Sequence, residues 1–300
     1  MVILSVVGTK GGIGKTTITA NLGALAADMG LRVLLVDADI QGSLSKYYQL
    51  RRQAPDGLTS VVLSGRVAES AISTTAWDRL DIIVCDAPRR KFAGIETTDL
   101  EQFIQGRIDA PMILRKALRA PVIEDNYDLV FIDTPGAQGP LLYTAALAAH
   151  RLISPVLPET PSAREFRTGT FELLVKLEEA QALGIGPGPL TAVINRVGHT
   201  NDARQITQEI RQSYLEMRGL VTVAETAIPA SVVYNEAATA QLAVHRLKRR
   251  ERGVTPFDTM HRLVWELIPS LSGVYAGGFS EEEETPSPAS QPAHDEVNTA

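Results

Sequence analysis

A glycine-rich segment near the start of the chain has the residue types and spacing that bind phosphate. It runs from residue 8 to residue 17 as Gly-Thr-Lys-Gly-Gly-Ile-Gly-Lys-Thr-Thr, after an apolar run and before an amphipathic one. In a strand–loop–helix setting, successive backbone N–H groups surround an anion, and the helix N-terminus adds partial positive charge. We expect Lys15 to reach the β and γ phosphates of a nucleotide and the Thr16 hydroxyl to bind Mg²⁺. The residues predicted to line the nucleotide are Gly11, Gly12, Ile13, Gly14, Lys15, Thr16 and Thr17.

The loop departs from the usual G-x-x-x-x-G-K-S/T pattern at two positions. Thr9 stands where the first glycine belongs, and Lys10 adds a second lysine. Lys15 already serves the phosphates within the subunit, and a second ammonium would repel it unless more negative charge lay nearby. One economical interpretation is that Lys10 serves a second nucleotide, across a dimer interface.

Carboxylates follow two further apolar runs. Asp37 and Asp39 stand at the end of the run 32–37, and Asp133 ends the run 128–133. Ligands of open α/β sheets bind outside the carboxyl ends of the strands. Two nearby carboxylates suit Mg²⁺ and a polarised water, and the Asp133 run has the form of a Walker-B strand, whose acid holds Mg²⁺.

The elements that position these residues alternate along the chain. Apolar strand-like runs are followed by helical patterns, notably at 141–149, 168–183 and 203–215. Such alternation predicts an α/β fold of the P-loop NTPase type, with a mostly parallel, twisted sheet and helices on both faces. The strand-like runs lie at 2–7, 32–37, 80–85, 128–133, 152–157, 190–195 and 220–224. The long excursion between the third and fourth runs, at 87–121, is expected to contain one or two helices.

Composition bounds the domain organisation. We expect one α/β domain that contains the glycine-rich loop over residues 1–272 and a disordered, acidic, Pro/Ser-rich tail over 273–300. The chain carries a net charge of −6, with 29 basic and 35 acidic side chains. Residues 279–300 hold six of the acids and no Lys or Arg, which leaves 29 acids and 29 bases in the remainder. A neutral body is compatible with a local basic face.

Cysteine usage and hydropathy indicate the compartment. The single cysteine, Cys85, excludes an internal disulfide and a multi-cysteine metal site, and its position in an apolar run predicts a small core residue. The chain has no signal-like N-terminus and no run of 18 apolar residues. These features predict a soluble cytoplasmic protein.

The loop and the first carboxylate motif together resemble those of the deviant Walker-A ATPases. That group has a K-G-G-x-G-K-S/T loop and includes ParA-type partition ATPases, MinD-type division-site ATPases and nitrogenase iron proteins. The segment from Asp37 to Gly42 resembles the partition-ATPase motif D-x-D-x-Q-G. The resemblance implies that Lys10 contacts the partner subunit's nucleotide, that Asp39 positions the attacking water, and that Asp37 belongs to the Mg²⁺ shell. Thr16 and Asp133 would complete that shell.

Three later segments indicate which nucleotide base the site would bind. The Asp-x-x-Gly beginning at Asp133 also occurs in GTPases, but no N-K-x-D guanine motif follows, which favours adenine. Family members often have a second proline where Gly136 stands. The segment 193–196 resembles the family's adenine contact, with Asn195 reading the base, although a turn asparagine after a strand is equally compatible. Pro229, after Ile228, resembles the loop that closes over the base.

Other members of the group fit the sequence less well. An iron protein needs cysteines for its cluster. Division-site ATPases end in a basic amphipathic helix, whereas here the last helix, expected near 259–271, precedes an acidic tail that anionic lipid would repel. Small-molecule ligases on this fold generally lack the first lysine. The ParA-type partition ATPase remains, and it implies ATP and Mg²⁺ as cofactors and no stable membrane association.

The ParA-type resemblance also implies the protein's partners. These are an ATP-dependent homodimer, non-specific DNA on the nucleoid and a ParB-like centromere-binding activator of slow hydrolysis. Because the loop begins at residue 8, no helix-turn-helix domain and no site-specific operator binding are expected. A MinD-like or cargo-positioning ATPase that acts through a protein partner or membrane, without DNA, is the alternative.

Basic side chains provide the candidate DNA-binding surface, although the chain departs from the family at two positions. His199 and Ala230 stand where relatives often have arginine. Compensating charge recurs at seven-residue spacing on one helix and in a run interrupted by Glu251. The candidate DNA-binding residues are Arg204, Arg211, Arg218, Arg246, Lys248, Arg249, Arg250 and Arg252.

Overall fold

A computed structural model describes residues 1–86, 91–92, 95–96, 100–198, 200–215, 221–247 and 254–277. The strands are β1 (Val2–Val6), β2 (Val33–Asp37), β3 (Leu50–Arg52), β4 (Ser73–Thr75), β5 (Leu80–Ile83), β6 (Lys91–Phe92), β7 (Ile95–Glu96), β8 (Leu129–Asp133), β9 (Arg151–Val156), β10 (Leu190–Val197), β11 (Val221–Val223) and β12 (Ile228–Pro229). The α-helices are α1 (Lys15–Asp28), α2 (Leu58–Ser64), α3 (Leu100–Gln105), α4 (Ile113–Leu118), α5 (Pro121–Glu124), α6 (Pro140–Ala148), α7 (Thr160–Glu178), α8 (Asn201–Leu215), α9 (Val233–Thr239) and α10 (Pro256–Leu267).

One mostly parallel sheet forms the centre of the molecule. Its strand order is β11-β10-β9-β1-β8-β2-β5-β4-β3, with β12 paired to β10. Neighbours from β11 to β5 are parallel, and the β5–β4 and β4–β3 pairings at one edge are antiparallel. The register places Asp37 and Val6 beside Asp133 on either side of β8. The strand ends that carry the predicted carboxylates therefore meet at one edge of the sheet.

Two apolar layers cover the sheet, one on each face. The central strands β2 and β8 are buried along their whole length, as continuous apolar runs require in a parallel sheet. Side chains of α1, α9 and α10 pack on one face, and those of α2, α3, α4, α6, α7 and α8 pack on the other. The predicted α/β fold, with helices on both faces of a parallel sheet, is confirmed.

Several element boundaries differ from the sequence-based predictions. Helix α7 begins at Thr160, eight residues before the expected start, and the short antiparallel strands β3 and β4 were not predicted. Strand β5 ends at Ile83, so Cys85 lies beyond the strand and is partly exposed, contrary to the expected core position. Its backbone N–H donates to Ser45 Oγ at 2.8 Å. The excursion after β5 contains α3 and α4, which agrees with the expected helices.

The C-terminal helix α10 begins with a capping box and is followed by an ordered segment. Thr255 Oγ1 accepts a hydrogen bond from the Asp258 backbone N–H, and the Asp258 carboxylate accepts one from the Thr255 N–H. Past residue 272, Trp265 Nε1 donates to the Val274 carbonyl at 2.8 Å, and Gly277 N donates to the Asp28 carbonyl at 3.0 Å. Packing thus continues five residues beyond the expected domain boundary. Residues 278–300 lie outside the described part of the chain.

Within the described ranges, no helix combines the length and the apolar character needed to cross a membrane.

Candidate nucleotide-binding site

The glycine-rich loop connects β1 to α1 as predicted, and its backbone requires glycine. Gly12 has φ 76° and Gly14 has φ 98°, both in the left-handed region. Gly14 is also crowded, because a Cβ at this position would lie 2.3 Å from Asn195 Nδ2. Helix α1 begins at the next residue, Lys15, so its free N–H groups face the loop. This arrangement suits an anion at the helix N-terminus.

Lys15 is buried near two of the three predicted carboxylates, Asp133 and Asp39. Its side chain is 7% exposed, and Nζ donates to the Lys10 carbonyl at 3.0 Å. Burial lowers the pKa of the Lys15 ammonium, while the charges of Asp133 and Asp39 oppose that shift. A desolvated cation next to a loop of backbone N–H groups attracts phosphate more strongly than a solvated one does. Lys10, in contrast, is exposed.

Thr16 and Asp133 form the second part of the site. Thr16 Oγ1 donates to Asp133 Oδ2 at 2.6 Å across the gap between α1 and β8. Asp133 is fully buried, and its Oδ1 has no hydrogen-bond partner among the described residues. Burial raises the pKa of Asp133 to about 8, with the charge of Asp37 adding to the shift. A buried carboxylate oxygen beside a hydroxyl fits a divalent cation, which would supply the missing charge.

Asp37 has a set of hydrogen bonds that Asp133 lacks. Its Oδ2 accepts from the backbone N–H of Ser45 at 2.7 Å and from the Ser45 hydroxyl at 2.6 Å, and its Oδ1 accepts from Asp39 N–H at 3.2 Å. Burial raises the pKa of Asp37 to about 6, and the Ser45 hydrogen bonds oppose the shift. Asp37 therefore orders the loop that carries Asp39. Its place in the Mg²⁺ shell stays a prediction.

Asp39 lies at the mouth of the site. It is partly exposed, and its Oδ1 accepts from the Gln41 N–H at 3.0 Å, which shapes the turn after β2. Asp39 and Gln41 line the same cavity as Lys15 and Thr16. Its role in positioning water stays a prediction.

The metal-binding capacity of the protein side chains is limited. Across the described ranges, no three His, Cys, Asp or Glu side chains gather closely enough to hold a metal ion. Thr16 and Asp133 could contribute to a Mg²⁺ site that takes its other ligands from phosphate oxygens and water, which is the usual composition of nucleotide-linked Mg²⁺ sites. The residues present fit an ion that arrives with its nucleotide.

Two cavities meet beside the loop. The phosphate cavity has a volume of about 700 Å³ and is lined by the loop, by Asp39 and by the segment after Asp133. The base cavity has a volume of about 440 Å³, and its walls include Ile18, Pro229 and Met260. Three residues line both cavities: Gly14, Thr17 and Arg196. These three residues form the neck between the cavities, so a nucleotide could place its phosphates in one cavity and its base in the other.

The predicted base contacts lie in the base cavity. Asn195 is buried there, and its Nδ2 donates to the Ile13 carbonyl at 2.8 Å, so part of the amide braces the phosphate loop. Ile228 and Pro229 form β12, which pairs with the end of β10 and closes one wall. Contact of Asn195 and Pro229 with adenine stays a prediction.

Three residues at the site were missed from the sequence. Arg196 lines both cavities, and Glu101 reaches the phosphate cavity from α3. Gly136 packs on the phosphate loop, because a Cβ there would lie 2.9 Å from Gly11 Cα. Arg196 had an available signal in its position directly after Asn195. Gly136 had a signal in the Asp-x-x-Gly segment that begins at Asp133, whereas Glu101 had none, because its position depends on which loops the fold brings together.

Comparison with known proteins places this site in a family. The family model for the AAA domain matches residues 1–181. The chromosome-partitioning ATPase Soj of Thermus thermophilus is 33% identical over 233 residues, which cover 76% of this chain and 81% of that relative. The chain belongs to the ParA/Soj family of P-loop partition ATPases. The ParA-type resemblance predicted from its loop is confirmed.

Solved structures agree on the fold of this ParA/Soj family member. The McdA protein of Cyanothece superposes with a TM-score of 0.72 at 18% identity, covering 90% of this chain and 99% of that one. Cobyrinic acid a,c-diamide synthase of Mycobacterium smegmatis, solved with an ATP analogue and magnesium, gives a TM-score of 0.63 at 26% identity. That match covers 80% of this chain and 93% of the synthase. The first likeness shows the fold alone.

The structure describes three of the candidate DNA-binding arginines, and two of them are engaged by other residues. Arg204 is exposed on α8, and Arg211 Nη2 donates to the Glu225 carbonyl at 2.8 Å. Arg246 lies against Asp28, with its guanidinium carbon 3.7 Å from the centroid of the Trp77 ring. A cation held this way is poorly placed to bind phosphate. The candidates Arg218, Lys248, Arg249, Arg250 and Arg252 lie outside the described residues, as does His199.

Proposed function

We propose that the protein is an ATP-dependent switch for DNA segregation. It dimerises when ATP is bound, binds DNA without sequence specificity in that state, and hydrolyses ATP slowly until a partner protein stimulates it. Membership of the ParA/Soj family supports the segregation role. One observation carries the proposal: Lys10 is exposed and directly precedes Gly11, which lines the phosphate cavity together with buried Lys15.

The geometry supports a division of labour in hydrolysis. Lys15 and the α1 N-terminus would bind the β and γ phosphates, and Thr16 with Asp133 would hold Mg²⁺. When bound, Mg²⁺ neutralises charge on the phosphate oxygens. Asp39, at the cavity mouth, would orient a water for attack on the γ phosphorus, which yields ADP and inorganic phosphate. Positioning and charge neutralisation carry most of such a reaction, and slow turnover suits a switch.

Dimerisation would explain why DNA binding depends on ATP. Binding that depends on a few phosphate contacts weakens steeply with salt, and pairing two subunits doubles the number of contacts. We propose that the DNA-binding residues are Arg204, Arg211, Arg218, Lys248, Arg249, Arg250 and Arg252. Arg246 is left out, because Asp28 and Trp77 hold it. We therefore propose that the protein localises to the nucleoid and that a ParB-like protein stimulates its ATP hydrolysis.

A second candidate is a cargo-positioning ATPase that acts through a protein partner without DNA. Two substitutions favour it: His199 and Ala230 stand where relatives often have arginine, and Ala230 lines the base cavity. The two candidates share nucleotide chemistry and dimerisation. They differ in whether ATP-loaded protein binds duplex DNA.

One experiment tests both candidates with three variants. Lys15→Ala should lose ATP binding, Lys10→Ala should bind ATP and stay monomeric, and Asp39→Ala should bind ATP, dimerise and hydrolyse about a hundredfold more slowly. Sedimentation with ATP reports the dimer, phosphate release reports turnover, and anisotropy of random duplex at two salt concentrations reports DNA binding. Wild type and Asp39→Ala should bind DNA with ATP but not with ADP.

The contrary outcomes separate the ideas. If the Lys10→Ala variant formed a dimer as stable as the wild-type dimer, the proposed contact of Lys10 across the interface would be wrong. Wild-type protein that dimerises with ATP yet binds no duplex at low salt would replace DNA segregation with the cargo-positioning function. Unchanged ATP binding by Lys15→Ala would contradict the nucleotide site itself.

A further inference from the structure

Arg196 stands at the junction of the phosphate and base cavities. The junction is formed by Gly14 and Thr17 on the loop side and by Arg196 on the β10 side. A nucleotide with its phosphates in one cavity and its base in the other must pass its sugar and first phosphate through this neck. A cation at that point would lie near the α-phosphate, because that is the phosphate closest to the sugar.

The backbone at Arg196 is unusual for a residue with a side chain. Its φ is 58°, one of three positive values among the described non-glycine residues. The register between β10 and β12 shifts between Asn195 and Val197, so Arg196 is the residue of a β-bulge. Bulges beside functional sites re-aim a side chain, and strained residues persist where the surroundings hold them. Here the neighbouring Asn195 anchors the bulge through its hydrogen bond to Ile13.

The guanidinium has no competing structural role in the described part of the chain. Arg196 is exposed, and no hydrogen bond or ion pair to a described residue engages its side chain. Arg246 provides the contrast, since Asp28 and Trp77 hold its guanidinium. A strained position that delivers an uncommitted cation to the neck of the site is consistent with binding an anion there.

We propose that Arg196 binds the α-phosphate of the nucleotide and so links the phosphate and base cavities. The inference rests on the proposed function, because it assigns a further contact to the same nucleotide. Arg196 acts in binding and orientation and takes no part in proton transfer. Because the α-phosphate is present in both ATP and ADP, the contact should serve both nucleotides equally.

The test uses Arg196→Ala and Arg196→Gly, with Arg79→Gly as the matched control. Arg79 also has positive φ, 61°, but lies just before β5, which four strands separate from β10. Both Arg196 variants should bind fluorescent ATP and ADP about tenfold more weakly, the loss expected for a hydrogen bond to a charged group. The ratio of ATP to GTP affinity should stay unchanged. Arg79→Gly should bind like wild type.

Thermal melts without nucleotide separate binding from folding. Glycine relieves a positive φ, so Arg196→Gly and Arg79→Gly should melt at or above the wild-type temperature. An affinity loss in Arg196→Gly without a lower melting temperature therefore supports a direct contact. Both Arg196 variants binding ATP and ADP within twofold of wild type would overturn the inference.

Other outcomes also count against the assignment. If the Arg196 variants lost affinity for ATP but not for ADP, Arg196 would contact the γ-phosphate instead. If the ratio of ATP to GTP affinity changed, Arg196 would contact the base instead. If the unaltered protein and Arg79→Gly bound no nucleotide at all, the proposed function and this inference would both fail. Normal binding by the Arg196 variants alone would leave the proposed function standing.

Discussion

Close contact between two glycines determines the shape of the phosphate loop. Gly136 follows β8 and lies against Gly11, so closely that a Cβ on Gly136 would be only 2.9 Å from Gly11 Cα. The neighbouring atoms are backbone, so they cannot rotate away as a flexible side chain would. Glycine at position 136 leaves room for the two loops to touch. The loop after Asp133 is therefore in contact with the loop that would bind phosphate.

Replacing Gly136 should disturb nucleotide binding directly. Gly136→Ala is expected to lower the free energy of unfolding by about 1–3 kcal/mol, the usual cost of overpacking, and to weaken ATP binding by displacing the loop. Urea unfolding and nucleotide titration measure the two effects. Gly106→Ala is the control, because a Cβ there would meet its nearest neighbour, the Gln102 carbonyl oxygen, at an ordinary 3.7 Å. Equal ATP affinity in the two variants would show that the loops do not constrain each other.

Helix α1 is held at both ends. The phosphate loop precedes its first residue, and a cluster of polar side chains around Asp28, here called the Asp28 cluster, surrounds its last residue. Asp28 accepts hydrogen bonds from Trp77 Nε1 at 2.9 Å, from His245 Nε2 at 2.8 Å when that nitrogen is protonated, and from Arg246 Nε at 2.7 Å. These partners come from segments 49 and more than 200 residues away. The helix that begins at Lys15 is thus fastened to the C-terminal part of the chain.

The Asp28 cluster should make stability depend on pH. Burial raises the pKa of Asp28, but the hydrogen bonds and charges of His245 and Arg246 outweigh it and lower the pKa below the ordinary 3.8. A folded-state pKa below the unfolded value stabilises the protein above that unfolded value, and the stabilisation is lost as pH falls through the folded value. Asp28→Asn should therefore cost about 2 kcal/mol at pH 7 and progressively less below pH 4.

Urea unfolding from pH 7 to pH 3 measures this effect, with Asp78→Asn as the control. Asp78 forms an exposed pair with Arg51 at 3.6 Å, so its loss should change stability by under about 0.5 kcal/mol. A difference between wild type and Asp28→Asn that stays constant down to pH 3 would contradict the sign argued here.

The last described residues of the chain, up to Gly277, are packed against the domain. Ala276 is buried, its N–H donates to His261 Nε2 at 3.2 Å, and Gly277 bonds to the end of α1. The acidic composition of residues 279–300 predicts no contribution to a core. We therefore expect residues up to Gly277 to contribute to folding.

Two truncations test this boundary. Ending the chain after Gly277 should leave the melting temperature and ATPase activity unchanged, and should strengthen DNA binding slightly by removing six acids. Ending it after Leu271 should lower the melting temperature by several degrees, because about 2–4 °C is lost per kcal/mol in a domain of this size. Equal melting temperatures for the two truncations would show that residues 272–277 add no stability.

Sequence pattern was sufficient to predict those features that depend on interactions between residues close together in the chain. The phosphate loop was predictable because glycine spacing, a preceding apolar run and a following amphipathic run each act within a few residues. Asp133 was placed correctly because it ends an apolar strand, and strand ends of a parallel sheet share one edge. The α/β alternation predicted the sheet and its two helical layers.

Contacts between distant segments could not be read from local pattern. The order of strands places β10 so that Asn195 reaches Ile13, 182 residues away, and leaves Arg196 at the neck between the cavities. The same order brings Gly136 onto Gly11 and carries Arg246 to Asp28. Periodicity encodes which face of an element is buried but does not encode which elements become neighbours. That choice depends on packing the whole chain, so these contacts became visible only in the folded structure.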